Sequence, residues 1–227
     1  MKILIGTLLA LTVILGLGAY TVRADEVLRT QAVNHVYKII SNGAICSATA
    51  IKLPAPAENA NTFLTAKHCI NPENPVGKLI DETVTENSES STYYDFKVVM
   101  VSRSSDLVGL VVPSEDFHPQ KATIADTQKA MEGDEVFSVG YPLGGSRTVT
   151  VGLLGQKERS VQPMGDLKVM QRASTQIDKG MSGGPLYQKT DKGYEIIGVA
   201  STKAGGNNFM NSFVTLTDIK NFIEKGE

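Results

Sequence analysis

The chain has 227 residues, of which 41% are hydrophobic and 20% charged, and its formal net charge is −2. This is ample for the core of one folded unit, and the sequence contains no low-complexity tract or internal repeat. The near-neutral charge argues against a surface built to bind nucleic acid, so we expect no nucleic-acid partner.

The first 24 residues have the pattern of an export signal. Lys2 precedes an apolar run, Ile3–Tyr20, and Val22-Arg23-Ala24 places small residues at the −3 and −1 positions that suit a signal peptidase. We expect cleavage after Ala24 and a secreted or periplasmic mature protein, residues 25–227, without membrane contact. The run of about 18 apolar residues could instead remain as an uncleaved anchor. In both cases the folded part is exported.

Short β-type runs separated by turn residues fill the next part of the chain. They are Val36–Ile40, Ala44–Lys52, Thr62–Thr65, Phe96–Ser102 and Leu107–Val112. This spacing favours a barrel or a sandwich over any βαβ pattern. Two polar stretches between the runs, Pro54–Asn61 and Asp81–Ser91, are interpreted as surface loops. The second could bind a cation through its acidic residues, but a solvated loop is favoured and no metal site is predicted.

A second series of β-type runs follows. It comprises Glu135–Gly140, Arg147–Gln156, Leu167–Thr175, Tyr194–Thr202 and Phe209–Thr215. After it, Ile219, Phe222 and Ile223 share one helical face, with Thr217 as the predicted N-cap and Gly226 as the stop. The pattern predicts an all-β chain that ends in one short helix.

One of the three histidines stands in a distinctive context. His118 falls in Val112–Gln120, whose two prolines indicate a crossover between the two halves of the chain. His35 stands at the start of the first strand without a nucleophile motif beside it, which is typical of a surface or core histidine. His68, in contrast, lies near the end of the apolar run Phe63–Cys69 and is the candidate general base.

The stretch Gly180-Met181-Ser182-Gly183-Gly184-Pro185 sets a serine between glycines ahead of an apolar strand start. Such a turn can expose the hydroxyl and direct neighbouring N–H groups to one point, which suits a nucleophile with an oxyanion hole. An ordinary tight turn would have the same pattern. A serine hydroxyl also needs a general base, and His68 can supply it.

In this order, Thr65-Ala66-Lys67-His68-Cys69 and Gly180–Pro185 resemble the trypsin-like (chymotrypsin-fold) serine peptidases. The resemblance covers about Val36 to the C-terminus. Val139–Gly144, followed by Thr148–Gly152, is similar to the bacterial branch that includes the HtrA (DegP-like) peptidases. We expect no HtrA-type PDZ domain, because the chain ends soon after the peptidase region.

This resemblance implies a fold and a set of catalytic residues. The fold would be two six-stranded antiparallel β-barrels, at about residues 34–113 and 121–216, followed by a helix at about 217–225. Ser182 would be the nucleophile, His68 the general base, and Asp106, the best match for the acid between them, would orient His68. Gly180 and Ser182 would supply the N–H pair of the oxyanion hole.

The resemblance also suggests a substrate pocket. Gln176, six positions before the serine, would lie at its base, and Ser201-Thr202-Lys203 would form one wall. Because a neutral amide cannot neutralise a buried cation, cleavage is predicted after uncharged, small-to-medium side chains rather than after Lys or Arg. The sequence leaves open whether the Asp178 carboxylate reaches this pocket.

Cys46 and Cys69 are the two cysteines of the chain, and in an exported protein they fit a single disulfide. In the family this bridge ties the strand preceding the catalytic histidine to the histidine turn, so the resemblance implies a Cys46–Cys69 bond. A zinc site formed with His68 is the alternative, but the spacing does not match known zinc ligands.

The sequence therefore predicts a serine endopeptidase that hydrolyses protein or peptide substrates through an acyl-enzyme, without a cofactor. A catalytically silent relative that binds peptides or a protein partner is the alternative. An esterase of the α/β-hydrolase type would place its histidine after the serine, and no histidine follows Ser182. Met181 stands where members activated by trimming have an Asp, so no activation by an N-terminal ion pair is expected.

Overall fold

A computed structural model describes residues 26, 29–54, 60–71, 74–85, 88–161, 165–202 and 210–225, without the side chains of residues 84, 85, 160 and 161. The predicted leader, Lys203 and Gly226 lie outside these residues. Within the described ranges, no helix combines the length and the apolar character needed to cross a membrane.

The first six strands form one closed antiparallel barrel. They are β1 Val36–Ser41, β2 Ala44–Ala50, β3 Asn61–Thr65, β4 Val76–Thr85, β5 Ser88–Val101 and β6 Val108–Val112. Their order around the barrel is β1-β2-β3-β6-β5-β4, and the pairing of β1 with β4 closes it.

The next six strands form a second closed barrel with the same strand order. They are β7 Glu135–Gly140, β8 Thr148–Val161, β9 Leu167–Ala173, β10 Pro185–Thr190, β11 Gly193–Thr202 and β12 Asn211–Thr215. The pairing of β7 with β10 closes this barrel. The C-terminal helix, Leu216–Lys225, follows β12. The predicted all-β class, the two six-stranded barrels and the terminal helix are thus confirmed.

Each barrel encloses its own apolar cluster, and a further cluster joins the two. In the first barrel the rings of Tyr37 and Phe63 pack edge to face, with centroids 5.4 Å apart, and Phe117 from the inter-barrel segment packs against both. The joining cluster draws residues from each barrel, including Ile51 and Leu64 from the first and Tyr141 from the second. This shared core sets the two barrels against each other and positions the loops between them.

The interpretation of Asp81–Ser91 as a surface loop is wrong. β4 and β5 pair from Val76↔Lys97 to Thr85↔Ser88 and form a ribbon, whose residues from 88 to 93 are all exposed. Its Ser, Thr and Glu residues carry no apolar alternation, because the outer ribbon has no buried face; cross-strand backbone hydrogen bonds hold it instead. Glu82 pairs with Lys38, so this carboxylate already has a cationic partner.

The predicted N-cap of the C-terminal helix is also displaced. The helix begins at Leu216, and the Thr215 hydroxyl accepts a hydrogen bond from the Asp218 N–H at 3.2 Å and donates to the Asp218 carboxylate at 2.8 Å. Thr215 is therefore the capping residue rather than Thr217. Both threonines fit the local pattern, and the end of β12 selects the earlier one.

Candidate active site

His68 lies in a single 3₁₀ turn, Lys67–Cys69, that follows β3. Two attachments hold the turn: a disulfide joins Cys69 to Cys46 of β2, and the Lys67 ammonium donates to the Ser102 carbonyl at 2.7 Å. The chain on both sides of His68 is therefore anchored to the first barrel. The imidazole itself remains partly exposed.

Asp106 is fully buried just before β6, and its carboxylate accepts three hydrogen bonds. Oδ1 accepts the His68 backbone N–H at 2.9 Å. Oδ2 lies 2.7 Å from His68 Nδ1 and accepts the Ser201 hydroxyl at 2.6 Å. An ionised carboxylate only accepts hydrogen bonds, so Nδ1 is the donor in this contact, and in the neutral ring the lone pair is then on Nε2.

Ser182 lies on a turn whose flanking glycines have left-handed backbone conformations, with φ values of +94° at Gly180 and +84° at Gly183. Among the described residues, neither the Gly180 N–H nor the Ser182 N–H has a hydrogen-bond acceptor, whereas the Met181 N–H between them donates to the Asp178 carbonyl. Two unpaired N–H donors on one turn are available to serve as an oxyanion hole.

His68, Gly180 and Ser182 line one cleft of about 450 Å³, together with residues of the β1–β2 turn and the Leu143-Gly144 turn. No hydrogen bond joins the Ser182 hydroxyl to His68. Contacts of this kind are often long without substrate and shorten when it binds. The structure thus brings a hydroxyl, an imidazole oriented by a buried carboxylate and two free N–H groups to the same opening.

The residues predicted to form the substrate pocket differ in their burial. The Ser201 side chain is buried and donates to Asp106. Gln176 is exposed, and its carbonyl accepts the Thr150 hydroxyl at 2.8 Å. Thr202 is half-buried, and Lys203 lies outside the described residues. Ser201 therefore supports the acid, and the pocket assignment of Gln176 and Thr202 stays a prediction.

The two cysteines and His68 are the one described group of three side chains close enough to share a metal ion, with ligand atoms within 4.8 Å of one another. Their sulfurs are bonded to each other, however, and zinc requires thiolates. The disulfide implied by the resemblance is present, so neither sulfur is a thiolate that could bind zinc.

Sequence reasoning missed a residue that touches the serine turn from the other barrel. Ser47, fully buried on β2, donates its backbone N–H to the Ser182 carbonyl at 2.8 Å and its hydroxyl to the Gly180 carbonyl at 2.8 Å. The Tyr141 N–H donates to the same hydroxyl at 3.0 Å. The available signal was its position after Cys46, which the predicted disulfide places beside the histidine turn.

The Tyr141 side chain, close to this Ser47 contact, is uncharged. It is 1% exposed, and burial raises the pKa of its phenol to about 12. The hydroxyl therefore keeps its proton at physiological pH and donates to the Val36 carbonyl at 3.4 Å. This contact ties the segment after β7 to the start of β1.

A sequence profile described as "Trypsin-like peptidase domain" matches residues 56–199, more than half of the chain. Two similar curated proteins are each named "Probable periplasmic serine endoprotease DegP-like": that of Pseudomonas fulva is 30% identical over 56% of this chain, and that of Marinomonas sp. 30% over 50%. The chain covers 26% and 24% of their lengths, about a quarter.

Solved structures of the Rv3671c protease from Mycobacterium tuberculosis share the fold. The inactive form has a TM-score of 0.67 at 20% identity, covering 87% of this chain and 91% of the other. The active form has the same TM-score at 19% identity. The profile match over residues 56–199 and the DegP-like relatives carry the conclusion: the chain belongs to the trypsin-like peptidase family and is related to its HtrA (DegP-like) branch.

Proposed function

We propose that this protein is an exported serine endopeptidase in which His68, Asp106 and Ser182 act as a catalytic triad. The observation that carries the proposal is the fully buried Asp106 carboxylate, which accepts hydrogen bonds from both the backbone and the ring of His68. Membership of the trypsin-like family supports the reaction class.

The proposed roles are those of the family's catalytic triad, and the geometry of His68 and Asp106 supports them. Ser182 Oγ attacks the carbonyl carbon of the scissile peptide bond, and His68 Nε2 takes the hydroxyl proton. The negative oxygen of the tetrahedral intermediate is bound by the N–H groups of Gly180 and Ser182. His68 returns the proton to the leaving amine, and water then hydrolyses the acyl-enzyme. Throughout, Asp106 orients the imidazole and stabilises its charged form.

Export is supported by three separate observations. The apolar leader ends in a signal-peptidase pattern at Ala24, and the Cys46–Cys69 disulfide fits an oxidising compartment. The similar curated proteins are named periplasmic. We infer a secreted or periplasmic location for residues 25–227.

The substrates are proposed to be proteins or peptides cleaved after uncharged, small-to-medium side chains. The resemblance places the neutral amide of Gln176 at the base of the pocket, where a bound cation would have no countercharge, and an unpaired buried charge costs several kcal/mol. A peptide-library cleavage profile measures this preference directly. A profile dominated by Lys or Arg before the cleaved bond would instead assign the pocket to an acidic side chain, with Asp178 as the first candidate.

The central test uses mature protein, labelled casein and a fluorophosphonate probe. We expect the wild type to cleave casein and to label with the probe. Ser182→Ala should abolish labelling and lower kcat by roughly 10⁶-fold, and Asp106→Asn should lower kcat by about 10⁴-fold with the fold intact. Asp166→Asn, a change of the same chemistry at an exposed aspartate, should leave both activities unchanged.

Two outcomes would contradict the proposal. Cleavage at the wild-type rate by Ser182→Ala or Asp106→Asn would remove the triad assignment. A folded wild type that binds casein without cleaving it or reacting with the probe would support the silent peptide-binding alternative.

A further inference from the structure

The serine turn is held through its carbonyl groups. Each of the four consecutive carbonyl oxygens from Lys179 to Ser182 accepts a hydrogen bond. In the order of the acceptors, the donors are Leu143 N at 2.6 Å, Ser47 Oγ at 2.8 Å, Gly184 N at 3.0 Å and Ser47 N at 2.8 Å. Because a peptide group is planar, fixing a carbonyl also fixes the direction of the N–H that follows it.

Three of these four donors are backbone N–H groups, and the fourth is the hydroxyl of Ser47. Its oxygen donates to the Gly180 carbonyl and accepts the Tyr141 N–H, so it connects β2, the segment after β7 and the serine turn. Ser47 is fully buried, which keeps water from replacing it. A glycine rotates more freely than any other residue, so the Gly180 carbonyl is the point at which the turn most needs an external hold.

We propose that the Ser47 hydroxyl is a positioning group for the oxyanion hole. It acts through the Gly180 carbonyl, which fixes the Gly180–Met181 peptide between the two peptides that carry the N–H groups of Gly180 and Ser182. Those two peptides are held through the Lys179 and Met181 carbonyls, and the middle peptide sets their relative orientation toward the cleft. The Ser47 hydroxyl does not touch the substrate. The expected loss of kcat rests on the proposed peptidase function. The expected loosening of the serine turn rests on the hydrogen-bond pattern alone.

The test compares Ser47→Ala with Thr49→Val. Thr49 lies two residues further along β2, is 1% exposed, and has a buried hydroxyl without a hydrogen-bond partner among the described residues. Both changes remove a buried hydroxyl from the same strand, but only Ser47 contacts the serine turn. Ser47→Ala should lower kcat on labelled casein and the rate of fluorophosphonate labelling by 10- to 100-fold, with KM within twofold of the wild type. Thr49→Val should stay within twofold in all three.

A second pair separates the hydroxyl from side-chain shape. Ser47→Thr and Ser47→Val have nearly the same volume, but only Thr keeps the hydroxyl. Ser47→Thr should recover most of the wild-type kcat and exceed Ser47→Val by at least tenfold. All rates are measured well below each variant's Tm, so that a purely structural role would move Tm and leave kcat unchanged. If Ser47→Ala does not fold, this pair decides.

Amide hydrogen exchange of residues 179–184, followed by mass spectrometry, gives a readout that does not depend on activity. Ser47→Ala should speed exchange there by tenfold or more, and Thr49→Val should not. If the wild type neither cleaves casein nor labels, the peptidase proposal fails while the exchange experiment still decides the role of Ser47. Wild-type kcat together with wild-type exchange in Ser47→Ala would overturn the inference.

Discussion

A β-carbon added at Gly180 would lie 2.2 Å from the carbonyl oxygen of Tyr141, and the residue has a φ of +94°. Two separate restrictions therefore apply: a left-handed backbone that favours glycine and a close approach of another backbone segment. The same residue offers one of the two free N–H groups at the cleft. Its lack of a side chain is thus required by the Tyr141 backbone, which packs against the turn of the proposed oxyanion hole.

We expect Gly180→Ala to lower kcat by about 10²–10³-fold, the usual effect of losing one oxyanion donor, because the turn must shift away from Tyr141. Gly133→Ala is the matched control: its φ is +90°, but nothing lies within 4 Å of an added β-carbon. Casein hydrolysis and fluorophosphonate labelling measure the effect. Equal losses of activity in the two variants would mean that backbone strain, and not damage to the oxyanion hole, causes the loss in Gly180→Ala.

At the scale of single elements, the turn that precedes β1 contains one titratable residue of interest, His35. The His35 carbonyl accepts the Ala50 N–H at 2.8 Å, and its ring nitrogen Nδ1 is buried without a hydrogen-bond partner among the described residues. Burial lowers the pKa of His35 below its usual value of 6.5, because the charged ring would lose its hydration. The unfolded chain therefore takes up this proton more readily than the folded protein.

The stabilising contribution of neutral His35 is complete above about pH 6.5 and is lost as the pH falls through the lower pKa of the folded state. We expect His35→Gln to lose less free energy of unfolding than the wild type between pH 7.5 and pH 5.5. His118→Gln, at an exposed histidine, should follow the wild type. Urea unfolding at both pH values measures the difference, and identical pH profiles for the wild type and His35→Gln would refute the expectation.

At the scale of the whole molecule, a largely buried ion pair lies where the two barrels meet. Lys38 of β1 pairs with Glu82 of β4, and each side chain is 11% exposed. The Lys38 ammonium also lies 5.1 Å from the ring centroid of Tyr141, which belongs to the second barrel. A nearly buried carboxylate without its cation would bear most of its desolvation cost.

Lys38→Met should therefore lower the free energy of unfolding by up to about 3 kcal/mol, and adding Glu82→Leu should restore most of it, because the unpaired charge is then removed. Lys78→Met breaks an exposed pair with Asp95, whose side chains are 50% and 77% exposed, and should cost less than about 1 kcal/mol. Denaturant unfolding compares the variants. A double variant less stable than Lys38→Met alone would contradict this account.

The sequence by itself determined the features that depend on short stretches of chain. The glycines around Ser182 predict its turn, Thr65–Cys69 identifies His68, and the resemblance these motifs carry implied both the two barrels and the Cys46–Cys69 bridge, which the structure contains. Apolar runs also located most strands, because a buried strand displays its environment in its own composition.

Only the tertiary structure decided which distant groups meet. The Ser47 hydroxyl contacts Gly180 across 133 positions, and Ser201 reaches Asp106 across 95. The position of Ser47 after Cys46 and the predicted pocket role of Ser201 do not reveal these hydrogen-bond partners, since the partners are supplied by the closure of the barrels. The β4–β5 ribbon was missed for a related reason: its outer part is held by cross-strand backbone pairing, which polar side chains do not reveal in sequence.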